Sequence, residues 1–452
     1  MTSISRRGTL LAGVALLAAC TTGTGSGGTG SGGTPPRSTF VTVDGLHFRR
    51  NGAPYRYVGA NIWYGAWLGA QTAYGDRARL TRELDRLQAL GVRNLRLLGS
   101  AELSPLKNSI TPGFRGRSAT YNDDLLKGLD WTLAEMAKRD MTAVIYLTNF
   151  WEWSGGMMTY LSWVNGGRFI NMNDPTHPWP EFPDWNAAFY ANAQAQAMYR
   201  DYIRAVVKRT NSVTGVAYAT DPTIMAWQLA NEPRPGGSNA VAAANLPNFY
   251  RWVDETARYI KTLDPHHLVS TGSEGLKGSI EREDIVLAAH RPASIDYLTT
   301  HIWPNNWSWM DPGNLAGTYD AGAAKVAGYI DAHIRMANTL GKPLVIEEFG
   351  YPRDGRDAFD PSITTAYKDR FYRQIYAAIE ANAKAGGPLA GSNFWAWNGE
   401  ARTPHADHRF QRGDLGYMGD PPHEPQGWYG VFDSDAGTQG VIRRHAAVMK
   451  GL

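Results

Sequence analysis

TIMAWQLANEPR, residues 223–234, drives an apolar, strand-like run from Ile224 to Ala230 straight into Asn231 and Glu232, then stops it at Pro233. Glu suits strands poorly and Pro cannot donate to a ladder, so local preference does not ask for this order. It makes sense where strand ends line a site. Seven further segments share the pattern of a short apolar, β-branched run: YRYVGANIW (55–63), VRNLRLLG (92–99), MTAVIYLTNF (141–150), HLVSTGSEG (267–275), IDYLTTHIW (295–303), PLVIEEFG (343–350) and GSNFWAWN (391–398).

Amphipathic segments separate these runs. Leu80, Leu84, Leu87 and Leu90 repeat at helical spacing before Gly91, which stands where a C-terminal cap belongs. Leu125, Leu129, Leu133 and Met136 form a second stripe; Tyr199, Ile203, Val206 and Val207 a third; Phe249, Val253, Ile260 and Leu263 a fourth. Eight near-continuous apolar strands alternating with helices predict a parallel sheet covered by helices, and eight is the closure number of a (β/α)8 TIM barrel. An open doubly wound sheet is the competing α/β arrangement. No GxGxxG follows the first strand, so no nucleotide site is supported.

The bulk numbers are those of a globular chain. There are 45 Lys and Arg against 42 Asp and Glu, a net charge of +3, and no basic run that would mark a nucleic-acid partner. Aromatic residues are abundant, with 16 Trp and 22 Tyr, which serve both as core and as flat faces for stacking on sugar rings. The one Cys ends the segment MTSISRRGTLLAGVALLAAC (1–20). Arg6-Arg7 followed by an apolar stretch too short to span a bilayer resembles a bacterial lipoprotein export signal, with Cys20 the lipidated residue and a twin-arginine character. A plain apolar N-terminus is the alternative. Residues 21–38 form a Gly/Ser/Thr-rich tether, leaving 39–452 as one barrel domain with long loops after its strands.

In such barrels the site lies at the C-terminal strand ends. Read there, the chain offers Asn61 and Trp63; Arg96; Asn149, Trp151 and Trp153; Asn231 and Glu232; Glu274; His301 and Trp303; Glu347 and Glu348; Trp395 and Trp397. Strands four and seven face each other across a barrel mouth, so Glu232 opposes the Glu347-Glu348 pair. Two opposed carboxylates among aromatic platforms suit glycosidic bond cleavage, with retention of configuration if they stand about 5–5.5 Å apart. His405 and His408, on a Pro- and Gly-rich loop, read as solvent-facing, and no metal or other cofactor is called for.

WQLANEPR (227–234) together with VIEEFG (345–350) resembles glycoside hydrolase family 5, in the clan of retaining (β/α)8 glycosidases, over about residues 40–450. NIWYGAWLG (61–69), NFWEWSGGM (149–157), HIWPNNWSW (301–309), SNFWAWNGEAR (392–402) and DPPHEPQGWYGVFD (420–433) are most similar to its endo-β-1,4-mannanase group. The resemblance implies Glu232 as acid/base and Glu348 as nucleophile, with Arg96 bracing Glu348 and Asn231 bonding the sugar 2-hydroxyl. It adds His301, Trp303 and Trp395 to the substrate site, Trp395 as the platform under the cleaved sugar. Asn149 and Trp151 extend it. Glu347 precedes the nucleophile on its strand, so its side chain is expected to point the other way. Trp303 stands where the family often has a Tyr, which leaves open whether another phenol meets Glu348. The plainer alternatives are an ordinary core salt bridge for Arg96 and packing of the barrel rim for Trp151 and Trp395. The implied substrate is β-mannan or manno-oligosaccharide. An exo-acting β-mannosidase or mannobiohydrolase, a β-1,4-endoglucanase, and a non-catalytic glycan-binding lipoprotein are the alternatives.

Overall fold

The computed structural model describes residues 40–355, 360 and 363–452. The export signal, Cys20 and the tether read at 1–38 lie outside the described residues.

Eight parallel strands carry the site. Numbered as barrel strands they are β1 (Tyr57–Asn61), β2 (Asn94–Leu98), β3 (Thr142–Tyr146), β4 (Ile224–Gln228), β5 (Leu268–Ser270), β6 (Leu298–Ile302), β7 (Leu344–Phe349) and β8 (Leu389–Phe394). Pairing runs β5-β4-β3-β2-β1-β8-β7-β6. The remaining β5–β6 seam has no ladder. It is bridged instead by the Asp296 amide on Val269 O (2.8 Å) and the His301 amide on Glu274 O (3.1 Å). This is the barrel that the eight apolar runs predict. The runs overshoot the strands at their C-terminal ends. The last, read as 391–398, begins two residues earlier and breaks after Phe394, so that Trp397–Gly399 pairs with Val431–Phe432 instead.

The four predicted helical stripes lie on helices Arg77–Ala89, with Leu90 as its C-cap, Asp123–Ala137, Ala193–Val207 and Asn239–Leu263, and all but the half-buried Leu263 are buried. Asp76, Asn122, Asn192 and Ser238 cap them by accepting an early backbone amide, each contributing about 1 kcal/mol. Gly91 adopts φ +86°, the left-handed turn its position after the helix requires. At the N-terminal end of the barrel, a small antiparallel sheet of Val41–Asp44, His47–Arg50 and Ala53–Pro54 lays Val41 and Phe48 against Tyr57, Met225, Tyr297 and Val345. The bottom is therefore packed shut, and the opposite end is left for the site.

Two long loops wall that end. The one within 399–430 is pinned by a buried anion and a buried cation. Asp420 accepts the amides of Gly427 (2.8 Å) and Tyr429 (2.7 Å), and Lys368 donates to the carbonyls of Tyr429 and Gly430 (both 2.7 Å). Burial lowers the Lys368 ammonium to about 8. In the loop after β3, Asp184 accepts the amides of Gly237 and Ser238 and so ties it to the loop after β4.

Candidate active site

The apolar run ends as a strand at Gln228, but its backbone stays extended. Leu229 N reaches Ser270 O (3.0 Å) and Asn231 N reaches Thr148 O (2.9 Å). The turn comes at Glu232, whose φ of +51° is left-handed. That conformation costs a non-Gly residue about 1–3 kcal/mol and is held here by the Glu232 amide on Gly272 O (2.9 Å). It aims the carboxylate across the barrel mouth. A cleft of about 660 Å³ opens there, with Glu232 and Glu348 in its wall.

Arg96, fully buried on β2, organises the floor. Its guanidinium donates to Glu348 Oε1 (2.5 Å), Asn231 Oδ1 (2.8 Å) and Gln228 Oε1 (2.9 Å), and lies 4.5 Å over the Tyr146 ring. One planar fork thus fixes three groups, which a Lys ammonium cannot do. Replacing Arg96 by Met is expected to cost roughly 3–5 kcal/mol of stability, because buried carboxylates lose their cation. The loss grows with pH as Glu348 ionises. Urea unfolding at pH 5 and 8 measures it, and unchanged stability at pH 8 refutes the bracing role.

His301 Nδ1 lies 2.6 Å from Glu232 Oε1 and 3.3 Å from Glu348 Oε2. The second Glu232 oxygen accepts Trp151 Nε1 (2.5 Å). A ligand atom from each of Glu232, His301 and Glu348 lies within 4.8 Å of the other two. Among the described residues this is also the one group arranged so that it could hold a cation, although Arg96 already brings positive charge to it.

Burial pushes the Glu348 carboxyl up to about 7 against the pull of His301 and Arg96, with Glu232 and Glu347 adding to the rise. Burial also acts on Glu232, but the His301 bond and charge, with Arg234 and Trp151, outweigh it and hold the carboxyl at about 2. Burial works against a charged His301, yet Glu348, Glu232 and Glu347 carry it to about 10. The free site therefore keeps His301 charged and one proton on the Glu232–Glu348 pair.

Glu347 does not point away from the site. The β6–β7 register skips it: Ile346 faces Thr300 and Glu348 faces His301. This bulge turns two consecutive carboxylates into the barrel. Glu347 is fully buried beneath Glu348 and accepts a hydrogen bond from Gln228 Nε2. Asn149 does not line the cleft either. It is fully buried behind Asn231, accepting from Asn231 Nδ2 (3.2 Å) and from the Trp151 amide (3.0 Å). It positions those two residues. Asn231, Trp151, Trp303 and Trp395 do line the cleft, while Arg96 and His301 sit fully buried under the carboxylates. Trp303 packs edge-on against Trp395 (5.9 Å) and Tyr429 (5.0 Å). Gly350 makes room for it, since a Cβ there would stand 2.8 Å from Trp303 Cζ3. Among the described residues no Tyr hydroxyl bonds to Glu348.

Sequence reasoning missed several lining residues. Arg234 pairs with Glu274 and lies between Trp151 (4.9 Å) and the exposed Trp179 (5.5 Å). Trp307 donates to Glu274 Oε1 (3.2 Å), and His423 and Glu424 enter the cleft from the pinned loop. Their signal was the Trp, Gly and Pro content of the long loops. His405, by contrast, is paired with Asp414 (2.9 Å) away from the cleft.

Over residues 38–452 the chain matches the family described as GH family 5 beta-mannosidase-like. It belongs to glycoside hydrolase family 5. Relatives of this family 5 chain include the mannan endo-1,4-beta-mannosidase 4 of Solanum lycopersicum, 28% identical over 82% of this chain and 86% of that one. The mannan endo-1,4-beta-mannosidase 1 of Arabidopsis thaliana is 30% identical over 79% and 82%. Among solved structures, the family 5 mannosidase from Rhizomucor miehei superposes with a TM-score of 0.82 at 35% identity, covering 92% of this chain and 99% of that one. A variant of it has been solved in complex with mannosyl-fructose (TM-score 0.82, 34% identity, 91% and 98% covered).

Proposed function

We propose that this family 5 chain is a retaining glycoside hydrolase that cleaves β-1,4-mannosidic bonds in mannans and manno-oligosaccharides. The observation that carries this is the Glu232–Glu348 pair, whose facing oxygens lie within 4.8 Å. That close approach suits double displacement, in which the two carboxyls stand about 5–5.5 Å apart, better than the wider spacing that an interposed attacking water needs. Glu348, braced by Arg96, attacks the anomeric carbon. Glu232 protonates the departing oxygen and then deprotonates the water that releases the sugar. The pair shares a single proton in the free site. A glycosidic oxygen beside Glu232 and an anomeric carbon beside Glu348 draw it to Glu232, because each carboxyl then meets the group its working form stabilises. Mannose as the sugar is supported by the mannan endo-1,4-beta-mannosidases and the mannosidase named above. Trp395 and Trp303 supply the stacking faces and Asn231 the bond to the 2-hydroxyl. Export and lipid attachment at Cys20 are part of the proposal and rest on residues 1–20 alone.

A second reading, exo-action from the chain end, is favoured by His423 and Glu424 reaching into the cleft from the loop beside Trp303 and Trp395. One experiment separates the readings. The chain from Phe40 is incubated with linear β-mannan, galactomannan and a soluble cellulose, and products are resolved over time with their anomeric form by NMR. An early spread of β-anomeric manno-oligomers is the expected result. Steady release of mannose or mannobiose alone selects exo-action, and products from cellulose only overturn the substrate. An α-anomeric first product overturns the mechanism, and binding without turnover would mean a glycan-binding protein.

A further inference from the structure

The bulge in β7 leaves an arrangement that two-carboxylate chemistry does not by itself require. Glu347 has no partner on β6, and its backbone carbonyl is held by Asn61 Nδ2 (3.0 Å). Its carboxylate faces inward. One oxygen takes the Gln228 amide; the other stands 3.6 Å from Arg96 Nε and 3.6 Å from His301 Nε2. That oxygen and that ring nitrogen are both buried and neither makes a hydrogen bond, so each is the other's nearest answer. The opposite ring nitrogen of His301 already bridges Glu232 and Glu348. One imidazole therefore sits at the centre of three carboxylates.

Charge then limits what this buried cluster can hold. Three carboxylates bring three negative charges and Arg96 returns one. A His301 imidazolium returns a second, and one proton shared by Glu232 and Glu348 makes the cluster neutral. A buried site strongly favours that state over one with net charge. We propose that Glu347 is a positioning residue that keeps His301 doubly protonated and thereby fixes the catalytic pair at one proton between them.

The surrounding groups do not upset the count. Arg234 and Glu274 neutralise each other beyond Glu232. Across the cleft, burial keeps His423 neutral, at about 4, and pushes the Glu424 carboxyl well above its usual range. The phenols of Tyr57, Tyr146 and Tyr297 stay un-ionised, raised by burial. The inference rests on the two-carboxylate reading above and adds a third carboxylate that never touches substrate.

The test is the pH profile of kcat/KM. Glu347→Gln removes one negative charge while keeping shape, so the cluster gives up its proton more readily. The alkaline limb is expected to move down by about 1–3 pH units, the size of effect a close charge has. Glu347→Asp keeps the charge, so its rate falls while the limb stays where it is in the unaltered enzyme. A purely structural Glu347 would lower rates at every pH without moving the limb, and a Glu347→Gln limb that coincides with that of the unaltered enzyme overturns the proposal. If that variant does not fold, the 15N shifts of the His301 ring in the unaltered protein at pH 8 decide. Two protonated nitrogens are expected, and a neutral ring refutes the idea. The NMR reading needs no turnover, so an enzyme inert on every β-mannoside would sink the proposed function and leave this inference separately decided.

Discussion

Glu348→Ala is expected to lower kcat/KM on mannan by at least about 10⁴-fold, in line with losses seen when a nucleophile is removed. Trp303 and Trp395 keep their places in this variant, so oligosaccharide binding persists. Above about pH 7 the protein should also melt no lower than the parent. Glu348 is nearly fully buried and its carboxyl lies at about 7, above the usual carboxylate value. A group whose folded value is raised contributes stability below its unfolded value, and that contribution is lost as the pH climbs through the folded one. Above pH 7 its removal therefore relieves a buried charge, and any gain in melting temperature should increase between about pH 5 and 8. Added azide checks the role. It fills the space of the lost carboxylate and attacks from that side, so an activated β-mannoside should give the α-mannosyl azide. Turnover at parental rates would show that another group is the nucleophile.

Glu232→Ala should give a different pattern. The loss should be about 10²–10⁴-fold on mannan, whose leaving oxygen needs a proton, and much smaller on dinitrophenyl β-mannoside, whose leaving group departs as a stable anion. Azide should now restore turnover and give the β-mannosyl azide, because it intercepts the covalent intermediate from the face that water uses. The alkaline limb of the pH profile should disappear as well, since the proton it reports has no carboxylate at Glu232 to occupy. An equal loss on both substrates would remove Glu232 from the acid role.

The barrel was legible because its strands are buried on both faces, which writes them as continuous apolar runs such as Ile224–Ala230. Glu232, Glu348, Asn231 and Arg96 were legible because polar residues at the ends of such runs have few other uses. The rest was hidden for identifiable reasons. The direction of Glu347 depends on a register shift against β6, and pairing register is a property of two strands, not of one. Asn149 follows its strand as a cleft residue would, yet bonds to Ser154 and Asn231 turn it inward. Arg234 and Glu274 come from different loops, and only the fold brings them together. Trp179, His423 and Glu424 lie in long loops whose course is set by anchors such as Asp184, bonded to Gly237, and Asp420, bonded to Gly427.

Those anchors have a consequence for how this scaffold can diversify. Asp420 and Lys368 clamp the two ends of the stretch that carries Pro421 to Gln426, and they do so through backbone atoms. A main-chain clamp is indifferent to the side chains it frames. Gln426, which donates to the carbonyls of Asp420, Pro421 and Glu424, belongs to the clamp, so the cassette is Pro421 to Pro425: its residues can be exchanged to open or block one end of the cleft without disturbing the barrel beneath. Heritable change in which bond of a polymer is cut, and change in how firmly the protein folds, fall on separate sets of positions.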